Sequence, residues 1–213
     1  MKKILLTIVI AALLIFPVQG VLLGSAAETA SDALSTPTYS KYVPGSAPAQ
    51  TDAAQAVTPA IHAAVLAMIN HDLTAFDFSS AELGWETLYN MLSLYGQMDE
   101  RSDYDADELI LPAESVRDFS GSLFPNLSIP APLPAELADR MTYSAGDDSY
   151  RLVCGNDSLA QIRLASLLPS GDNLILSGSL VYLVDGSDLA SFRAILRPSD
   201  NLFGYTIVAL ELI

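Results

Sequence analysis

Four carboxylates match the ligand spacing of a calcium-binding loop: Asp103, Asp105, Asp107 and Glu114. They stand at the first, third, fifth and twelfth positions of the pattern, and the twelfth is where such loops carry a bidentate glutamate. The chain departs from the pattern at two places, because Glu108 replaces the glycine of the sixth position and Pro112 occupies the tenth. Two interpretations follow: a solvated acidic loop that ends in a first-turn helix acid, or a weak site for which calcium is the possible cofactor.

A histidine, a cysteine and an arginine could pair a nucleophile with a base. They follow one another in the order His71, Cys154, Arg163, and the arginine lies nine residues after the cysteine. This order resembles that of sortase-type cysteine transpeptidases, and the resemblance implies a nucleophilic thiol. The chain departs from that family because Val153 precedes the cysteine where the family has threonine, and because acidic residues flank it in sequence. The competing interpretation is a small, buried apolar residue on a strand.

Two glutamates one helical turn apart, Glu82 and Glu86, lie beside Trp85 and Tyr89. This arrangement could form a carboxylate pair next to an aromatic platform for a sugar. The interpretation we favour is the polar edge of a helix whose aromatic side chains belong to the core.

The composition restricts the possible functions. The net charge is −15, and removal of Lys2 and Lys3 with an N-terminal segment lowers it by two, to −17. Such acidity opposes binding to nucleic acid or to an anionic membrane surface. Lys41 is the only other lysine, so the folded part lacks the lysine of a phosphate loop or a Schiff base. With two histidines and one cysteine, we favour a non-catalytic protein over an enzyme.

The N-terminal segment 1–26 has the form of a signal peptide, with a positive start followed by an apolar run. Cleavage fits after Gly20 or after Ala26 or Ala27, and an uncleaved anchor is the alternative, because about 20 apolar residues span a bilayer. Segment 27–56, rich in Ala, Ser, Thr and Pro, is predicted to be a flexible tether. We therefore expect a secreted or surface-tethered protein, outside the cytoplasmic membrane.

Three helices are predicted before residue 141. The first begins at Thr58, a hydroxyl N-cap, with Pro59 in the first helical position. The second begins at Ser79 and ends at Gly96, a natural C-terminal stop. The third follows Pro112.

From residue 142 onwards the apolar residues alternate with a period of two, which is typical of strands. Five strands are predicted: 149–154, 159–167, 173–184, 189–197 and 205–212. The short turns between them indicate an antiparallel meander with one solvated face. Helices (57–141) followed by strands (142–213) predict one α+β domain over 57–213, in which the helices pack on one face of a curved sheet.

The solvated face is expected to carry Arg193, Arg197 and Tyr205, which are residue types enriched at interfaces. One hypothesis is that an extracellular protein or glycan, anionic or polar, binds there; the other is that both arginines neutralise nearby acids. The sequence thus predicts an exported acidic domain that acts as a binding or structural module. A calcium-binding module and a secreted cysteine transpeptidase are the alternatives.

Overall fold

The computed structural model describes residues 50–124, 133–154 and 159–213. The predicted signal peptide and most of the predicted tether lie outside these residues. Three helices lie in the described part: α1 (Gln50–Asn70), α2 (Ala81–Tyr95) and α3 (Ala113–Leu123). Its strands are β1 (Asp103–Asp105), β2 (Glu108–Pro112), β3 (Met141–Ser144), β4 (Ser149–Val153), β5 (Ala160–Ser170), β6 (Asn173–Tyr182), β7 (Asp188–Pro198) and β8 (Tyr205–Leu212). The predicted α+β class is confirmed.

The strands form two antiparallel sheets instead of one curved sheet. One sheet has the order β1-β2-β4-β3 and the other has the order β5-β6-β7-β8. All five predicted strands exist, but β4 belongs to the first sheet, where it pairs with β2 and β3. The three strands that were not predicted are only three to five residues long. Few alternations fit in three to five residues, so the period of such a segment is a weak signal, and of the strands this short only β4 was predicted.

Helix α1 begins before the predicted N-cap, and the prediction of its start is wrong. Pro59 lies inside the helix, where the missing N–H and the ring cost about 3 kcal/mol. The side chains of Ala53, Val57 and Ile61 are fully buried, and this burial offsets the cost. Residues 50 to 56 therefore belong to the helix and not to the tether.

The stretch Asp52–Asn70 of α1 is long and apolar enough to cross a membrane, yet 67% of it is buried within the fold. The helix packs on α2 and on β5, β6 and β8. A helix that is apolar on nearly all sides and covered on most of them is typical of a core helix.

Helix α2 begins one residue later than predicted. Ser80 is its N-cap, and the side chain of Ser80 accepts a hydrogen bond from Leu83 N. Ser79 instead donates to Asp77 from both its backbone N–H and its hydroxyl. Gly96 does end the helix, with an ordinary φ of −61°. A Cβ at this glycine would lie 2.9 Å from Leu109 Cδ2, so Gly96 allows β2 to approach α2 closely.

Helix α3 follows Pro112 as predicted, and it buries Val116, Phe119 and Leu123. It packs on α2 and on β2, β4 and β8. The β5–β8 sheet presents Leu176, Phe192 and other alternate residues to this core, and leaves its opposite face without a helix in the described residues.

Candidate binding surface

The face of the β5–β8 sheet that points away from the helices, hereafter the open face, carries an apolar row. Strand register places these side chains next to one another: Leu168, Ile175, Ile195 and Ala209. Leu168 is 59% exposed and the other three are partly exposed. With strands about 4.8 Å apart, the row is about 14 Å long and crosses all four strands.

Polar side chains border the apolar row. On one side, Ser177, Arg193 and Glu211 are paired in register, and Arg193 Nε donates a 2.6 Å hydrogen bond to Glu211 Oε1. On the other side lies Arg197, which is exposed and has no ion pair within the part of the chain that the structure describes. Both predicted arginines therefore lie on the open face. Glu211 neutralises Arg193, whereas no carboxylate of the described residues neutralises Arg197.

Tyr205, the third residue predicted on this face, lies on the opposite face and is only 8% exposed. The prediction of its position is wrong because β8 contains a bulge. Ile195 pairs with Ala209 whereas Leu196 pairs with Ile207, so one extra residue inverts the alternation. A bulge of this kind has no sequence signal that a period-two pattern could reveal.

The four carboxylates of the predicted calcium loop are not brought together. Asp105 and Glu108 both accept hydrogen bonds from Arg151 Nη1, at 3.1 Å and 3.4 Å. Glu114 lies on α3, 4.0 Å from Arg101 Nη1. In the described ranges no three His, Cys, Asp or Glu side chains converge on a point where a metal ion could be held.

Calcium binding therefore stays an untested hypothesis that this geometry does not favour, and thermal unfolding tests it. A ligand that binds the folded state raises the melting temperature by mass action. Because Asp105 shares Arg151 with Glu108, and Glu114 lies on another element, we expect millimolar calcium to leave the melting temperature unchanged. A rise that a chelator reverses, and that Asp105→Ala abolishes, would restore the hypothesis.

Cys154 lies partly buried directly after β4. Burial raises the pKa of its thiol, while hydrogen bonds from the Leu109 backbone and the Ser93 side chain act in the opposite direction. None of these groups is the cation that a thiolate nucleophile needs. Arg163, the arginine of the transpeptidase-like set, is exposed on the open face and pairs with Asp188. The geometry thus offers no support for the transpeptidase hypothesis, which stays a prediction.

The aromatic residues of α2 are buried, as the helix-edge interpretation expects. Trp85 and Tyr89 are in the core, and Glu86 accepts a 3.1 Å hydrogen bond from Arg140 Nη2. The Arg140 guanidinium lies 4.5 Å from the centre of the Tyr89 ring. Glu86 is therefore engaged in a local ion pair that joins α2 to the segment before β3.

Neither the apolar row nor the contact between Tyr143, exposed on the edge strand β3, and Tyr150, partly buried on β4, was predicted from the sequence. The row depends on the register of four strands, which the sequence does not reveal. Tyr143 lies on β3, which spans four residues and was not predicted.

A scan of the sequence against protein-family models finds no match, and a search of curated proteins finds none either.

Proposed function

We propose that this chain is an exported, non-catalytic binding domain that docks a protein partner on its open face. The observation that carries the proposal is the apolar row bordered by Arg193 on one side and Arg197 on the other. Protein interfaces combine an apolar centre with a polar rim, and arginine is enriched in them. A polar partner of either kind was expected at these arginines, and the apolar row favours a protein over a glycan.

The charges on the rim indicate the chemistry of the partner. Arg193 is neutralised by Glu211, whereas Arg197 has no such acid among the described residues. Arg197 is therefore the guanidinium that a partner carboxylate can bind. Since the chain as a whole has a net charge of −15, an acidic partner is attracted only locally, and Arg197 contributes to specificity.

Export is the second part of the proposal, and it rests on the form of segment 1–26. A positive start and an apolar run followed by small residues direct a chain across a membrane. The open face would then meet partners outside the cytoplasmic membrane.

A comparison of variants in a pull-down from the exported fraction of the host tests the docking proposal. We expect Leu168→Asp and Arg197→Glu each to weaken retention of the same protein by about tenfold, because one removes an apolar contact and the other reverses a charge at the rim. Leu202→Asp is the matched control, since Leu202 is exposed and lies off the sheet. The Leu202→Asp control should retain the same proteins as the unmodified chain.

The purified partner then gives a dissociation constant for each variant, and circular dichroism shows whether each is folded. If Leu168→Asp and Arg197→Glu retain the same proteins as the control, the open face is not the docking surface.

A further inference from the structure

Two tyrosines form an aromatic surface on the β1-β2-β4-β3 sheet, which is separate from the sheet that carries the open face. Tyr143 on β3 and Tyr150 on β4 are directly opposite each other in register. Their ring centres are 5.0 Å apart and the ring planes are inclined by 47°. β3 is an edge strand, and Tyr143 is 50% exposed while Tyr150 is partly buried. α3 packs on β4, so Tyr143 lies one strand further out than the strand that this helix covers.

Polar groups border the two rings. Tyr143 Oη donates a 2.8 Å hydrogen bond to Asp148 Oδ1, and this bond raises the pKa of Tyr143. The pKa of Tyr143 is raised by the Asp148 hydrogen bond and that of Tyr150 by burial, and the positive charge of Arg117, an exposed residue of α3, partly opposes both rises. The Asp148 carboxylate, which accepts hydrogen bonds, and the Arg117 guanidinium, which has five N–H donors, therefore lie near the exposed ring of Tyr143.

The backbone holds the acceptor in place. Asp148 has a left-handed φ of 47°, a conformation that aspartate tolerates better than most residues. Its carbonyl oxygen accepts a 2.8 Å hydrogen bond from Ala113 N, at the start of α3. The turn before β4 is thereby tied to the helix that carries Arg117.

We propose that Tyr143, Tyr150, Arg117 and Asp148 form a binding site for a neutral saccharide. A sugar ring presents polarised C–H bonds on one face, which suit the negative face of an aromatic ring, and hydroxyl groups at its rim, which bind guanidinium donors and carboxylate acceptors. Two carboxylates, Asp147 and Asp148, lie in the turn beside Tyr143, and the chain is acidic overall, so an anionic sugar is disfavoured.

The same geometry limits the entropic cost of binding. The hydrogen bond to Asp148 holds the Tyr143 ring beside Tyr150, and tyrosine has only two side-chain torsions to fix. A preorganised aromatic surface loses little conformational freedom when a ligand stacks on it.

The experiment uses an array of immobilised neutral oligosaccharides of glucose, galactose, mannose and N-acetylglucosamine, followed by calorimetry with the best binder. We expect Tyr143→Ala to weaken binding by more than about tenfold, since stacking is lost. Tyr143→Phe keeps the ring and should stay within about threefold of the unmodified chain. Arg117→Ala should have an intermediate effect.

Tyr104→Ala is the matched control, because Tyr104 on β1 is also 50% exposed and its hydroxyl donates to a polar side chain, that of Gln97. It should leave saccharide binding unchanged. Binding to no sugar of the array, equal affinity of Tyr143→Ala, or an equal loss in Tyr104→Ala would each overturn the proposal. Arg197→Glu should bind saccharide normally, so failure of the open face and failure of this site are distinguishable.

Discussion

Replacing Gly178 by alanine should destabilise the protein by about 3 kcal/mol, at the upper end of what overpacking a core costs. Gly178 lies on the covered face of β6, opposite Leu164 on β5 and Phe192 on β7. A Cβ at this position would lie 2.6 Å from the carbonyl oxygen of Arg163 and 2.9 Å from Phe192 Cζ. The first is backbone and the second belongs to a fully buried ring, so neither can move without strain.

Urea unfolding at pH 7 measures this effect, and Gly121→Ala provides a control of opposite sign. Gly121 is an exposed residue of α3 and has nothing within 4 Å of the added Cβ. Alanine there should stabilise the helix by about 0.5–1 kcal/mol. If Gly178→Ala unfolded at the same urea concentration as the unmodified chain, the close packing of β5 and β7 against β6 would be contradicted.

Acidification from pH 6.5 to pH 4 should remove about 3 kcal/mol of stability through His62 alone. The His62 side chain is 3% exposed, and burial lowers its pKa from 6.5 to about 4. Its Nδ1 lies 2.7 Å from the hydroxyl oxygen of Tyr95, whose own pKa burial raises to about 12. Both groups are therefore neutral at pH 7.

Stability falls on acidification because the pKa of His62 is lower in the folded chain than in the unfolded chain. Between pH 6.5 and pH 4 the unfolded chain binds a proton at this histidine and the folded chain does not, so stability falls as the pH falls and is complete above pH 6.5. Aspartates lose their contribution in a separate window. Hydrogen bonds from Ser79 and Ser187 lower the pKa of Asp77 and Asp185 from 3.8, so their contribution is lost only as the pH falls below that value.

Urea unfolding of the unmodified chain and of His62→Gln at pH 7, 6, 5 and 4.5 tests this prediction. The variant cannot titrate in this range, so its stability should be nearly constant from pH 6.5 to 4.5, although it is lower at pH 7. Parallel curves for the two chains would show that another group causes the loss.

The starts of the helices show which features of the fold local sequence signals can predict. The start of α3 after Pro112 was predicted because proline restricts the residues around it locally. The start of α1 was not, since Pro59 is a start signal in isolation and the burial of Val57 and Ile61 overrides it. Local propensity decides an element only where tertiary packing does not oppose it.

The candidate sites depended still more on contacts between distant residues. Loop spacing suggested that Asp105 and Glu114 act together, but Arg151, from a strand 46 residues further along, binds Asp105. The open-face arginines were predicted from alternation in β7, which has no irregularity at that point. Tyr205 was misplaced because the bulge in β8 changes the alternation only where two strands pair.

The sequence by itself determined the α+β class, the five predicted strands and the net charge of −15, and it supplied the expectation of export. These follow from composition and from periods of apolar residues, which are local properties of the chain. The tertiary structure alone decided that β4 leaves the meander for a second sheet, that an apolar row crosses four strands, and that Tyr143 stands beside Tyr150, Arg117 and Asp148. Such juxtapositions depend on strand register and on pairing between segments far apart in the chain, and no local pattern encodes either.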